Sequence, residues 1–275
     1  MSRFAALRDW KRHLSRLAEI LLIERRYGIN VSGYVFLEDL GVGVQERVWY
    51  HPSEWLGLRR AIRDLGVAGD DVFIDIGSGK GGAVFVAARY FPFKRVIGVE
   101  ISPDLNEIAR TNIAANLPDL NCRNVELVTS DVLQYPIPDD LSVVYLYSPV
   151  VGETFHRLIE RLFESLDRNP RVLRLLYNYP VEHDYLAGHQ RVRVIDACPS
   201  GWLSSDRLSD ETMVTYLLLP LTPLHAADEL VRLSKSRLRG AEAWLKPYNP
   251  GFRLESRDYT IERSGDGGSW EIHDR

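Results

Sequence analysis

From residue 71 the chain alternates short, nearly continuous apolar runs with amphipathic stretches. The runs are Val72–Ile76, Arg95–Val99, Val125–Thr129, Val143–Tyr147 and Val172–Tyr177, and helical periodicity covers residues 81–91, 103–117 and 153–167 between them. A strand without polar alternation has to be covered on both faces, and a helix in each crossover supplies that cover. The pattern therefore predicts an α/β fold built on a parallel sheet. Ser102-Pro103-Asp104 gives one of these helices an N-cap, a first-turn proline and a favourable charge at its positive end. Two later runs, Arg191–Ala197 and Glu211–Leu219, have no clear helix between them. That predicts antiparallel pairing, across a loop long for a hairpin.

The flanks read differently. Leu7, Trp10, Leu14, Leu17 and Leu21 share one face of a helix over residues 3–27, and residues 1–30 hold seven basic side chains against three acidic ones. This predicts a capping helix with a solvated basic face, with a lid, a homodimer seam or an acidic-substrate surface as the sharper alternative. Residues 28–53 read as an irregular aromatic arm, followed by a helix over residues 55–66 that ends at Gly66. A further helix is expected over residues 225–245 through Leu230, Leu233, Ala241 and Trp244, then a strand-like piece near 257–262 and a turn at Gly265–Ser269. The chain thus divides into a cap and arm at 1–66, a core at 67–220 and a helical extension at 221–275.

Composition narrows the function classes. With 275 residues, 45% hydrophobic and 26% charged, the chain can bury a real core. Its formal charge of −4 argues against a surface dominated by phosphate-backbone contacts, so nucleic acid is not an expected partner. Two cysteines, Cys122 and Cys198, make neither a disulfide framework nor a four-thiolate zinc site, and His51, His183 and His189 have no ligand spacing. No metal is expected. Without an 18-residue apolar run or an apolar signal core in Met1–Trp10, the expectation is a cytoplasmic protein with no membrane partner.

The strongest local signal is Asp75-Ile76-Gly77-Ser78-Gly79-Lys80-Gly81-Gly82, placed between a strand and a helix. Glycines there allow a tight turn and close approach of a ligand to backbone. A phosphate-binding Walker loop fails on spacing, because one residue separates Gly77 from Gly79 and no Ser or Thr follows Lys80. A dinucleotide fingerprint is formally present as Gly77, Gly79 and Gly82. Glu100 ends the second strand, where a carboxylate can accept both hydroxyls of a ribose. These two features indicate a nucleoside and leave NAD and S-adenosylmethionine both open.

Asp75-x-Gly77-x-Gly79-x-Gly81 resembles the first motif of class I S-adenosylmethionine-dependent methyltransferases. Residues 45–180 resemble a bacterial group of that class, distantly similar to the non-SET histone lysine methyltransferases. Tyr50-His51-Pro52-Ser53, Asp75 to Gly82, Arg95 to Glu100 with Ser102-Pro103, and Tyr135-Pro136-Ile137-Pro138 carry the likeness. The resemblance implies a Rossmann-like seven-stranded sheet with β7 antiparallel, S-adenosylmethionine as cofactor and S-adenosylhomocysteine as product. It further implies that Asp75, Gly77, Ser78 and Gly79 cradle the cofactor and Glu100 holds its ribose. Ile101 packs on the adenine, Asp131 takes the adenine amine, the Val132 N–H meets the ring nitrogen, and Tyr50 and Ser53 fold over the methionine end. Tyr147-Ser148-Pro149-Val150 occupies the place of the Asn/Asp/Ser-Pro-Pro-Tyr/Phe motif of many amine methyltransferases. It keeps Ser148 and Pro149 but lacks the second proline and the aromatic. Tyr147 and Ser148 are the candidate contacts to a methyl acceptor on a small molecule, peptide or protein. Tyr177-Asn178-Tyr179-Pro180 reads equally as acceptor wall or as core. A non-catalytic nucleoside-binding module and a nicotinamide-dependent oxidoreductase are the alternatives.

Overall fold

The structure is a computed structural model that describes residues 18, 20–35, 46–47, 50–53, 55–199 and 212–222, with three short strands at 253–255, 259–263 and 270–274. The first half of the expected N-terminal helix, Phe36 and Trp49 of the arm, the 225–245 helix and the Gly265–Ser269 turn lie outside these residues.

The alternating region folds as its pattern dictates. Strands β1 (Val72–Ile76), β2 (Arg95–Glu100), β3 (Val125–Thr129), β4 (Val143–Tyr147), β5 (Leu173–Asn178), β6 (Val192–Pro199) and β7 (Thr212–Leu218) form one sheet in the order β3-β2-β1-β4-β5-β7-β6. β1 pairs in parallel with both β2 and β4, while β7 runs antiparallel between β5 and β6. A short helix over His183–Gly188, which periodicity does not show, links β5 to β6. The three strands after residue 252 make a separate antiparallel sheet, of which sequence indicated only the middle strand.

Each face of the large sheet has its own apolar cluster. Val72, Ile74 and Ile76 of β1 go to one side, where Phe155, Leu158, Ile159, Leu162, Phe163 and Leu166 of helix α5 (Gly152–Arg168) cover them. Those α5 positions recur at steps of three and one, which builds a single apolar face. Phe73 goes to the other side with helix α2 (Trp55–Asp64), helix α3 (Gly82–Tyr90) and, from the flank, Ile20 of helix α1 (described over residues 20–27), Ile29 and Val31. Full burial of each such side chain contributes roughly 1.5–3 kcal/mol before entropy is counted. Tyr177 belongs to the core and stacks on Phe155 at 5.3 Å, so at that position the packing role is the one observed.

Helix ends show how the strand termini are held. In helix α4 (Pro103–Asn116) the Ser102 hydroxyl accepts from the Leu105 N–H at 3.3 Å, the cap that the sequence indicated. The start of α5 is capped from two distant places. The Glu182 carboxylate accepts from the Gly152 N–H at 2.7 Å, and Glu46 accepts from those of Glu153 and Thr154 at 3.2 and 2.8 Å. Carboxylates at a helix N-terminus meet otherwise orphaned donors and the positive end of the helix dipole. No helix among the described residues is long and apolar enough to cross a membrane.

Candidate cofactor and acceptor site

The carboxyl ends of β1, β2 and β4 surround an open cavity. Leaving β1, the chain turns so that the N–H groups of Gly77 and Ser78 both donate to the Val99 carbonyl, at 2.8 and 3.0 Å. This hooks the glycine loop onto β2. Glu100, 5% exposed, then accepts from the Gly79 N–H at 2.7 Å through one carboxylate oxygen and from the Ser102 N–H at 2.9 Å through the other. Burial pushes the Glu100 carboxyl above its usual range, while its backbone hydrogen bonds act in the opposite sense. Asp75 is pushed well above the carboxylate range by burial and then by the nearby charge of Glu100.

Gly79 shows why the loop needs glycine. Its φ is +52°, and an added Cβ would lie 2.2 Å from the ring of Tyr50. A side chain would be strained by the backbone and would collide with an aromatic ring.

The arm supplies a roof over this loop. The Tyr50 hydroxyl donates to the Val31 carbonyl at 2.6 Å, and Tyr50 and Val35 exchange backbone hydrogen bonds. Lys80 Nζ donates to the Ser32 carbonyl at 2.5 Å and lies 5.4 Å from the Tyr50 ring centre. Asn112 on α4 accepts from the Asn30 N–H at 2.8 Å and donates to the carbonyls of Asn30 and Lys80, both at 2.9 Å. Glu24 accepts from the N–H groups of Val31 and Ser32 at 2.7 and 2.6 Å. Burial lowers the Lys80 pKa, the expected direction for an ammonium taken out of water.

Of the residues singled out in the sequence, Tyr50, Ser53, Gly77, Ser78, Glu100, Ile101, Val132 and Tyr147 border the cavity together. Asp75, Gly79, Asp131 and Ser148 do not line it. Ser148 has φ of +40°, is 3% exposed, and donates its hydroxyl to the Tyr179 carbonyl. Tyr179 is also left-handed, at φ +53°, so both strand ends make sharp turns. Asp131 has its carboxylate engaged by Arg47 at 2.6 Å and by the Leu133 N–H at 2.8 Å. Arg47 and His51 line the cavity too, and sequence reading did not single them out as site residues. His51 packs edge-on against Tyr147 at 5.2 Å and meets Tyr34 at 4.8 Å. Nothing in the arm's irregular sequence marks these two, because only the crossing of the arm over the sheet brings them in.

The strand order places this cavity where open α/β sheets bind ligands, beside β1 and β4, between which the strand order reverses. Residues 73–169 match the family profile described as Methyltransferase domain. Over those residues the chain is similar to a methyltransferase domain. It is 38% identical over 106 residues to the ribosomal protein L11 methyltransferase of Geobacter metallireducens, a match covering 38% of this chain and 32% of the relative. The chain thus aligns with about a third of that relative's length. Among solved structures, it is similar to an RNA methyltransferase from Salinibacter ruber in complex with S-adenosyl-L-homocysteine, with 24% identity and a TM-score of 0.46 over 64% of this chain and 97% of that one. The M. jannaschii tRNA m1G37 methyltransferase is similar at 16% identity and a TM-score of 0.44, over 64% and 54%.

The residues around the cavity fit S-adenosylmethionine. Glu100 keeps lone pairs for ribose hydroxyls beyond the two it gives to backbone. The buried Ser78 hydroxyl, on a residue that borders the cavity, has no protein partner. A buried hydroxyl in that condition is costly unless a ligand satisfies it.

Proposed function

We propose that this protein transfers a methyl group from S-adenosylmethionine to a nitrogen or oxygen acceptor on a small molecule, peptide or protein, the general reaction EC 2.1.1.-. The observation that carries the reading is Glu100, a buried carboxylate tied to Gly79 and Ser102 at the rim of the cavity.

In this reading Glu100 holds the ribose, Ile101 and Val132 flank the base, and the loop from Gly77 to Gly81 lies along the amino-acid end. Bound S-adenosylmethionine supplies a methyl group already activated by its sulfonium. The chain's own contribution is then to orient the acceptor and exclude water. Tyr50 and Ser53 close the cavity from above, and Tyr147 with His51 borders the side from which an acceptor enters. Ser148 acts one step removed, by fixing the turn at Tyr179.

Calorimetric titration with S-adenosylhomocysteine tests this. Binding near the micromolar scale, about −8 kcal/mol, is expected. NADH should not compete. NADH binding without S-adenosylhomocysteine binding would replace the reading with the nicotinamide alternative. Transfer of labelled methyl to peptide or small-molecule acceptors then tests catalysis against a non-catalytic module.

A further inference from the structure

We propose that the groove between helix α2 and the end of helix α3 binds a diphosphate group carried by a small molecule. Leu56, Arg59, Arg60, Arg63, Tyr90 and Phe91 line this groove, and none of them borders the cavity at the strand ends. The inference stands independently of the S-adenosylmethionine reading of that cavity.

Helix α2 has two faces. Trp55, Leu58, Ala61 and Ile62 are buried in the core. Leu56, Arg59, Arg60 and Arg63 follow the i, i+3, i+4, i+7 spacing of a second face, so three guanidinium groups stand along one side of the helix. The Arg59 guanidinium lies 4.0 Å from the centre of the Tyr90 ring, and that of Arg89 lies 5.8 Å from it. The Tyr90 hydroxyl meets the Tyr27 hydroxyl at 2.5 Å, and Arg26 Nε donates to the latter at 3.2 Å. Three helices thus gather five arginines around two tyrosines. Arg26 belongs to the basic N-terminal helix, for which the sequence left an acidic-substrate surface open.

This positive charge has little counter-charge within the protein. Of the five arginines, only Arg63 has a carboxylate partner among the described residues, its neighbour Asp64 at 3.0 Å. The Nε of Arg89 is buried with no acceptor among the described residues, a condition that is costly until an acceptor arrives. The tyrosine rings attract the guanidinium groups but carry no net charge, so an anion that enters relieves the repulsion among the arginines. Guanidinium forks match phosphate oxygens bidentately. A phosphate carries about −1.5 to −2 charges at pH 7 and three acceptor oxygens. Two linked phosphates therefore meet several arginines at once, where a lone carboxylate meets one. Arg59 covers the Tyr90 ring, where a nucleic-acid base would stack. With a formal charge of −4 for the whole chain, a compact diphosphate fits this local patch better than an extended nucleic-acid backbone does.

The test is calorimetric titration of the full-length protein with inorganic pyrophosphate. Saturable binding at one site is expected, with a Kd on the order of 0.1 mM. Arg59→Gln combined with Arg63→Gln keeps much of each stem and removes two charges, and should weaken binding by about tenfold or more. If that double variant does not fold, Arg63→Gln alone should weaken binding by about threefold. Arg157→Gln is the control, an exposed position of α5 on the opposite face of the sheet, and should stay within about twofold of wild type. S-adenosylhomocysteine at saturation should not displace pyrophosphate. Absence of saturable pyrophosphate binding, displacement by S-adenosylhomocysteine, or equal affinity in the groove variants and Arg157→Gln overturns the proposal. So does a short single-stranded RNA that binds through the same arginines when pyrophosphate does not bind, because the groove then belongs to a nucleic-acid backbone. Failure of S-adenosylhomocysteine to bind would strike the cofactor reading and leave this proposal standing.

Discussion

The two sides of the cavity are built by different rules. On the cofactor side, Gly77, Ser78, Gly79 and Glu100 sit within two consecutive strand ends, and the chain there makes mostly backbone contacts. On the side proposed to meet the acceptor, Tyr147 and Ser148 leave β4, Tyr179 leaves β5, and His51 and Ser53 come down from the arm. The first side is local in sequence and close to a fixed geometry. The second is assembled from three separate segments, by side-chain packing and two left-handed turns. The difference teaches that nucleoside binding can be inherited as a compact motif, whereas acceptor choice depends on what the chain adds around it.

Four measurements break or sharpen that contrast. The largest effect is expected for Gly79→Val. It combines a positive φ with a Cβ 2.2 Å from the Tyr50 ring, each costing about 1–3 kcal/mol. Calorimetry should show no saturable S-adenosylhomocysteine binding, and a variant that folds and binds normally would remove the loop from the site.

Next, Glu100→Ala removes the proposed ribose acceptor and leaves the Gly79 and Ser102 N–H groups without their partner. Affinity for S-adenosylhomocysteine should drop by about 1.5–3 kcal/mol, roughly ten- to a hundredfold. Unchanged affinity would mean that the cofactor side is not where the ribose lies.

Ser148→Ala probes the other side. It removes one hydrogen bond from the Tyr179 carbonyl, which keeps the one from the Val181 N–H at 2.9 Å, so stability should fall by about 0.5–1.5 kcal/mol. S-adenosylhomocysteine affinity should stay within about twofold, since 1.4 kcal/mol is a factor of ten and no cofactor contact is removed. Chemical denaturation and calorimetry separate the two readouts. A loss of cofactor affinity comparable with that of Glu100→Ala would merge the two sides.

The smallest effect is a pH dependence. The Asp75 carboxyl is raised well above its unfolded value of 3.8. A group raised in the folded state contributes stability that is complete below the unfolded pKa and is lost as pH rises through the folded pKa. Stability from this group should therefore fall as pH climbs from about 4 toward neutrality. Asp75→Asn should flatten that slope, with a relative gain in Tm of about 2–4 °C at pH 7 for each kcal/mol involved. Thermal melts of both proteins from pH 5 to pH 8 check it, and parallel curves would show that the Asp75 carboxyl is ionised in the folded protein over this range, as in the unfolded one.

Much of the core was legible because its signals are local. Apolar runs without alternation require a sheet covered on both faces, and Ser102-Pro103 announces a helix start from side-chain chemistry alone. Asp75 to Gly82 and Glu100 fall at strand ends whose spacing follows from that sheet. The short helix at His183–Gly188 escaped because six residues cannot display a helical period. Arg47 escaped because a lone arginine in an irregular arm looks like any solvated charge until the chain folds back on Asp131.

The sequence by itself determined the strand and helix alternation, the glycine loop and the carboxylate at the end of β2. Each depends on residues a few positions apart, whose geometry is set by backbone sterics and burial. Only the tertiary structure decided that Ser148 turns inward to Tyr179, that Tyr50 roofs Gly79, and that Arg47 occupies Asp131. Those outcomes come from contacts between distant segments, where the direction of a side chain is chosen by what packs against it and not by its neighbours in the chain.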